Sequence, residues 1–318
     1  MNHERDVISL ASRAKADEET FLVLDWDEWK TKDVPPRERI VEPILQERDS
    51  MMIFGERGRG KTFLALGLAC AMATGTNFLR WKIPRPLRVL YVDGEMPFQA
   101  LQDRAKAIVR VLPVEPRPGY LRLLSADMQE SGLPDMASEN GPFQRLIEST
   151  LGIGTERQMG VLILDNLSAL VQTGSESSDE IWNPIQIWLK RLRRLGITTI
   201  FLHHTGKGGQ QRGTSKREDD LDITIKIETP NGYKQSDGCR FVVNFTKHRH
   251  FYGDDAEPFE VAYEGGIFTE RACGKSRLEL EDRILEMHGD GMSVRAIAAE
   301  LGMDKSAVHR VLKKYADE

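Results

Sequence analysis

Residues 55 to 62 read Gly55-Glu56-Arg57-Gly58-Arg59-Gly60-Lys61-Thr62, a complete G-x-x-x-x-G-K-[ST] string set between an apolar run and a helical one. The run before it, Ser50-Met51-Met52-Ile53-Phe54, has the length and apolarity of a buried strand, and Phe63 to Ala73 reads as a helix. A Gly-rich turn before an ordinary helix would match the string alone. The strand–loop–helix context turns it into a phosphate site. Backbone N–H groups of such a loop wrap a phosphate, and the positive end of the helix adds to the attraction. All eight residues are therefore expected to hold the nucleotide. Lys61 reaches the β- and γ-phosphates and the Thr62 hydroxyl ligates Mg²⁺. The expected cofactors are ATP and Mg²⁺.

The rest of the chain narrows the fold around that loop. From about residue 41 to 272, short apolar runs alternate with amphipathic stretches. Strands are expected at Arg88–Asp93, Tyr120–Leu124, Val161–Asp165 and Thr198–His203, and helices at Phe98–Val111, Pro142–Leu151 and Asp179–Leu195. Strands spaced by helices imply βαβ units and an α/β fold on a mostly parallel sheet. After Asp222 the pattern changes. Asp222–Glu228, Arg240–Thr246, Phe259–Tyr263 and Gly266–Thr269 read as strands joined by turns such as Asn231-Gly232, an antiparallel extension at one edge. Three regions follow: an arm over 1–40, an ATPase domain over 41–272, and a small all-α unit over 273–318. The arm carries Phe21, Trp26 and Trp29, whose rings pack either on a neighbouring subunit or on the chain's own core.

A formal net charge of -5 with 29% charged residues gives no global basic signature, so nucleic acid must be met by local patches. Cys70, Cys239 and Cys273 form no C-x-x-C pair, which supports neither a zinc ribbon nor a disulfide framework and fits a reducing cytoplasm. No apolar run approaches membrane-spanning length, and the N-terminus lacks a signal-peptide layout.

In an open parallel sheet the ligand sits beyond the carboxyl ends of the strands, so the residues ending each strand converge on it. Asp165 closes Val161-Leu162-Ile163-Leu164 as a Walker B carboxylate, beside Thr62 on the metal. Asn166 follows where many P-loop ATPases place a catalytic glutamate. Glu95, just past the Arg88–Asp93 strand, is the alternative base for the attacking water, with Asp93 as its competitor. A structural reading of Glu95, as an acid favoured near the helix opened by Pro97, stands beside this. His203 and His204 are adjacent on a strand and point to opposite faces, so they make a poor metal pair. One of them is better placed to meet the γ-phosphate. The Gly-rich segment that follows carries Lys207, Arg212, Lys216 and Arg217, and reads equally as a nucleic-acid contact or a solvated loop.

Together these motifs resemble the RecA/DnaB-like hexameric ATPases, in particular the RepA-type replicative helicases of plasmids, phages and mobile elements. The likeness spans roughly residues 35 to 270. It rests on the phosphate loop, Asp93-Gly94-Glu95-Met96, Asp165-Asn166, His203-His204-Thr205-Gly206-Lys207, Arg212-Gly213-Thr214-Ser215 and Lys247-His248-Arg249-His250-Phe251-Tyr252-Gly253. The last is similar to a K-x-R-x-x-x-G element that supplies a lysine and an arginine finger to the neighbouring subunit. The resemblance implies that Lys247 and Arg249 act in trans, that His204 senses the γ-phosphate and that Glu95 is the catalytic glutamate. It also implies a homo-oligomer, a hexameric ring with active sites at its interfaces. The bland alternative for Lys247 and Arg249 is a pair of edge-strand surface charges.

At the C-terminus, Ser293 to Leu312 looks like a helix-turn-helix. Ser293 and Asp304 are set to cap its two helices, with Gly302 at the turn and Ile297, Leu301, Met303, Val308 and Val311 in its core. The second helix would offer Lys305, Ser306, His309, Arg310 and Lys313 to DNA. A protein–protein module is the competing reading. The functions these features allow are a DNA helicase motor, a DNA-binding regulator or loader with a switch ATPase, and a recombination or repair ATPase.

Overall fold

The computed structural model describes residues 22–34, 36–172, 179–204, 220–272, 277–301 and 303–316. Phe21, Lys207, Arg212, Lys216, Arg217, Cys273 and Gly302 lie outside them. The contacts divide the chain into residues 1–36 and 37–318. In the first, helix α1 (Trp26–Thr31) opens on a capping box in which Asp25 and Glu28 satisfy each other's backbone N–H groups. Trp26 and Trp29 stack at 5.7 Å and are both exposed.

The second unit is built on a sheet. A small antiparallel pair, β1 (Arg39–Val41) and β2 (Leu45–Gln46), precedes β3 (Ser50–Gly55), which turns into α2 (Lys61–Thr74). Then follow β4 (Val89–Asp93), α3 (Phe98–Val111), β5 (Leu121–Ser125), α4 (Pro142–Leu151), β6 (Val161–Asp165), the single-turn α5 (Leu167–Leu170), α6 (Asp179–Arg194) and β7 (Thr198–His204). The chain continues through β8 (Ile223–Glu228), β9 (Cys239–His248), β10 (Phe259–Glu264) and β11 (Ile267–Ala272).

Nine strands form one sheet in the order β11-β10-β9-β8-β3-β7-β6-β4-β5. The segment from β5 to β8 is parallel throughout, and β9, β10 and β11 are antiparallel. The antiparallel extension expected from the sequence therefore begins one strand later. β8 pairs in parallel with β3, Met51 opposite Ile223 and Gly55 opposite Ile227. The reason is long-range: β8 completes the buried centre beside β3, and its two faces are almost wholly covered.

Residue alternation sorts the core into two layers, because successive strand side chains point to opposite faces. Met51, Ile53, Tyr91, Ile163 and Ile200 pack with α2 and α3 residues such as Leu64, Leu68 and Leu101. Met52, Phe54, Val92, Leu162 and Phe201 pack with Phe143 and Ile147 of α4 and Trp188 of α6. Strands buried on both faces read as continuous apolar runs, which is why the sequence showed no alternation there.

The last three helices, α7 (Arg277–Gly289), α8 (Val294–Glu300) and α9 (Lys305–Ala316), gather around Ile284, Ile297, Ala298 and Val308. Leu301, Met303 and Val311 pack against this cluster. The Ser293 hydroxyl accepts from Ala296 N–H at 3.2 Å, capping α8. Asp304 Oδ1 accepts from Ser306 N–H at 2.7 Å, closing the start of α9. No described helix is long and apolar enough to cross a membrane.

Candidate active site

Four neighbouring strands end at the same edge of the sheet. Gly55 ends β3, His204 ends β7, Asp165 ends β6 and Asp93 ends β4, with Gly55 opposite His204 and Asp93 opposite Asp165. The loop leaving β3 needs its glycines. Gly60 has φ 98°, and a Cβ there would lie 2.4 Å from the Phe241 ring. Gly55 runs so close to β8 that a Cβ would meet the Ile227 carbonyl oxygen at 2.5 Å.

Within the loop, Lys61 Nζ donates to the carbonyl oxygens of Gly55 at 2.8 Å and Glu56 at 2.7 Å. Burial brings the ammonium down to about 8, although the Asp165 and Glu95 charges work in the other direction. Arg59 pairs with Glu56 at 3.2 Å and is half-buried, while Arg57 and Gly58 are exposed.

Asp165 is buried, and its carboxylate accepts from Tyr91 Oη at 2.6 Å and from the Thr62 hydroxyl. Burial pushes its pKa up, and these bonds and Lys61 oppose the rise. Asp93 is fully buried, with Oδ2 accepting from Met96 N–H at 2.9 Å and Oδ1 holding no hydrogen-bond partner. Burial raises it to about 7.

Glu95 stands on the open side, its side chain 54% exposed. Its carboxylate accepts from Asn166 Nδ2 and lies 3.3 Å from His204 Nε2. Partial burial works to raise the Glu95 pKa, but the hydrogen bonds from His204 and Asn166 outweigh it and the net shift is downward. His204 is shifted down as well, by burial first and then by the Lys61 charge.

Asn166 is the residue that sequence reasoning undervalued, since the motif gave it only as a missing glutamate. Its Oδ1 accepts from Ala169 N–H at 3.2 Å, which fixes the orientation of the amide. The Nδ2 is thereby turned to Glu95 and to His204 Nε2, the latter at 3.0 Å. Tyr91 was missed too, because a tyrosine inside an apolar strand reads as core.

Two expected site residues are not brought to this edge. Lys247 pairs with Thr224 at the start of β8, and Arg249 follows one residue beyond β9. Arg249 Nη1 lies 3.5 Å from Asp222 Oδ1, and Asp222 Oδ2 accepts from Ser50 N–H at 3.0 Å. Arg249 is thus level with the start of β3. At the strand rise it is about 16 Å along the sheet from Gly55. In the C-terminal unit Lys305, Ser306, His309, Arg310 and Lys313 are all exposed on α9, while Val308 is buried beneath them.

A strand-to-helix phosphate loop with a buried carboxylate beside its threonine is the framework of a P-loop ATPase, and residues 15–210 match the AAA domain family. The chain belongs to the AAA domain family. Beyond this AAA domain, residues 275–314 match a helix-turn-helix domain. Among curated proteins no relative matches the sequence. Among solved structures, a KaiC-like protein from the hyperthermophilic archaeon Pyrococcus horikoshii is similar to the AAA domain chain in fold. The TM-score is 0.53 at 14% identity, covering 74% of this chain and 100% of that one. That likeness speaks for the RecA-like fold alone.

Proposed function

We propose that this chain is a Mg²⁺-dependent ATPase acting as a RepA-like oligomeric replicative helicase, with each active site completed by a neighbouring copy. The observation that carries this reading is the position of Lys247 and Arg249 at the end of the sheet opposite the phosphate loop. From there they serve no ATP held by their own chain. In a ring, a hexamer by resemblance, the same edge meets the next subunit's nucleotide, and Arg249 stabilises the charge that develops on the transferred phosphoryl group.

In this reading the loop Gly55–Thr62 cradles the phosphates, with Lys61 leaving its two carbonyl partners for them. The donor set of Thr62 hydroxyl and Asp165 carboxylate suits a hard divalent cation, and a buried, upward-shifted carboxylate is one that such a cation relieves. Bound there, Mg²⁺ would neutralise charge on the β- and γ-phosphate oxygens. Glu95 takes the proton of the attacking water. It is ionised at neutral pH and open to solvent, whereas Asp93 is buried with a raised pKa. Asn166 holds Glu95 in place, and His204 meets the γ-phosphate.

The exposed face of α9 supports DNA binding: Lys305 and Ser306 toward base edges, His309 and Arg310 toward phosphates. One copy would bind weakly and several in a ring together more tightly. The functional division follows as an arm over 1–40, the ATPase over 41–272 and the DNA module over 273–318, working in the cytoplasm. The same exposed face favours a second reading, in which the ATPase switches a DNA-bound regulator or loader.

The test is mixing. Glu95→Gln and Arg249→Ala chains are each expected to be inactive, and their mixture to regain ATPase activity because some interfaces then carry both intact residues. A mixture that stays dead sinks the trans reading. Solution mass with ATP and single-stranded DNA should show a DNA-dependent hexamer. Unwinding of a forked duplex separates the helicase from the regulator, which would protect one DNA site without unwinding.

A further inference from the structure

Tyr91 lies in the middle of β4, a strand whose five residues are all buried. Its Oη donates to Asp165 Oδ2 at 2.6 Å, and the two residues are 0% and 3% exposed. We infer that Tyr91 is a positioning residue for the metal carboxylate: it pins Oδ2 and so fixes the group that, with Thr62, would hold the divalent cation. The inference rests on the reading that Thr62 and Asp165 bind Mg²⁺ beside the phosphates.

The sheet register makes this contact. Tyr91 stands opposite Ile163 on β6, and Asp165 is two residues further on, so alternation puts Tyr91 and Asp165 on the same face. Two residues of strand span about 7 Å, which a tyrosine side chain covers and a serine or threonine hydroxyl does not. The ring belongs to the same apolar layer as Ile53, Ile163 and Leu64 and Leu68 of α2. The hydroxyl is thus held by the core rather than by the loop.

The groups around Asp165 differ in what a cation would ask of them. The Thr62 hydroxyl bonds the same carboxylate, but its oxygen is also one that a hard cation takes. Lys61 acts on Asp165 through its charge, and its Nζ donates to the carbonyls of Gly55 and Glu56 until phosphates replace them. Tyr91 is fully buried and serves the carboxylate whether or not a cation is bound. A phenol also orients an oxygen without bringing the positive charge with which an arginine would compete with the ion. Outer hydrogen bonds of this kind hold metal-binding carboxylates, and losing one costs roughly 10–100-fold in metal affinity.

Mn²⁺ uptake by the full chain tests this, read from the electron paramagnetic resonance signal of the free ion with a non-hydrolysable ATP analogue bound. Tyr91→Phe keeps the ring in the core and removes only the hydroxyl. It is expected to weaken Mn²⁺ binding about tenfold and to leave binding of the analogue in EDTA at the wild-type affinity. Asp165→Asn should weaken Mn²⁺ more, and Tyr91→Phe added to it should cause no further loss, because the tyrosine acts through that carboxylate. Wild-type Mn²⁺ affinity in Tyr91→Phe would overturn the inference. So would an equal loss of analogue binding in EDTA, or a variant that no longer folds, since either would make the bond a matter of packing. Wild-type protein that binds the analogue but takes up no Mn²⁺ would instead sink the metal reading of Asp165, and the role of Tyr91 with it. Asp165→Asn protein that takes up the ion as tightly as the wild type would do the same.

Discussion

The two ends of the parallel strands both collect charge, but they settle it differently. At the carboxyl ends, Lys61, Asp93 and Asp165 are all buried with their charged forms disfavoured, and Asp93 Oδ1 has no hydrogen-bond partner. At the amino ends, each carboxylate already has its cations. Asp222 takes Arg193 at 2.5 Å, Arg249 at 3.5 Å and the Ser50 N–H; Asp49 takes Arg37 at 2.7 Å and the Gln46 N–H, with His250 Nε2 3.3 Å away. Asp49 is still pushed upward, by burial first and despite the Gln46 bond. Asp49, Asp222 and His250 come close enough to suggest a metal triad, but the arginines supply the positive charge that an ion would bring. At the loop end burial outweighs the partners of Lys61, Asp93 and Asp165, whereas at the other end arginines meet the carboxylates, among them Arg249, the residue proposed to serve a neighbour's nucleotide.

The sharpest way to break this comparison is to remove one cation from each end. Lys61→Ala should abolish ATP binding, since the loop loses the side chain that meets the phosphates. Arg249→Ala should leave the ATP dissociation constant unchanged while turnover falls about 10³-fold, the scale of an arginine finger. Equilibrium titration with a fluorescent ATP analogue, run beside a steady-state phosphate-release assay, reads both. If Arg249→Ala lost ATP binding as fully as Lys61→Ala, the two ends would not be separate in function.

Carboxylates give the next largest contrast, and it has opposite signs. Asp222→Ala removes an acceptor from the Ser50 N–H and from Arg193, and should destabilise the fold by about 2 kcal/mol. Asp93→Asn should stabilise the ligand-free protein at pH 8 by roughly 2 kcal/mol. The folded pKa of Asp93 is raised to about 7 from 3.8, so its contribution to stability is fully present below 3.8 and is lost as pH rises through 7. The wild type should therefore lose stability across that window through this group, and Asp93→Asn should not. Urea midpoints at pH 5 and pH 8 check both signs. A destabilised Asp93→Asn at pH 8 would mean that the buried carboxylate is paired after all.

What could be read in advance follows the same division. Gly55, Asp93, Asp165 and His204 were legible because each ends an apolar run, and strand ends in a parallel sheet meet at one edge. The caps at Ser293 and Asp304 were legible because capping is local. The parallel setting of β8 was not, since its neighbour β3 lies far away in sequence and nothing local distinguishes a parallel strand from an antiparallel one. Asn166 was read by what it replaces, because a motif carries residue types and not hydrogen bonds. The pairing of Arg249 with Asp222 depends on the β8–β9 register, with its irregularity between Thr224 and Ile225, and no spacing rule gives that.

The smallest effect is the most direct probe of the loop end. Burial lowers the ligand-free Lys61 ammonium to about 8, and bound phosphates would raise it again. Below pH 7 the side chain is charged both with and without ATP, so affinity should not depend on this group. Above pH 8 the free protein has lost the proton and must regain it on binding. ATP affinity should therefore fall up to about tenfold per pH unit from pH 8 to 9. Calorimetry in two buffers of different ionisation enthalpy should show proton uptake over the same range. Lys61→Arg supplies the control, because a guanidinium stays charged throughout and should bind with a flat profile. A flat wild-type profile with no proton uptake would place a fully charged lysine in the empty loop, and the contrast between the two ends would then rest on the aspartates alone.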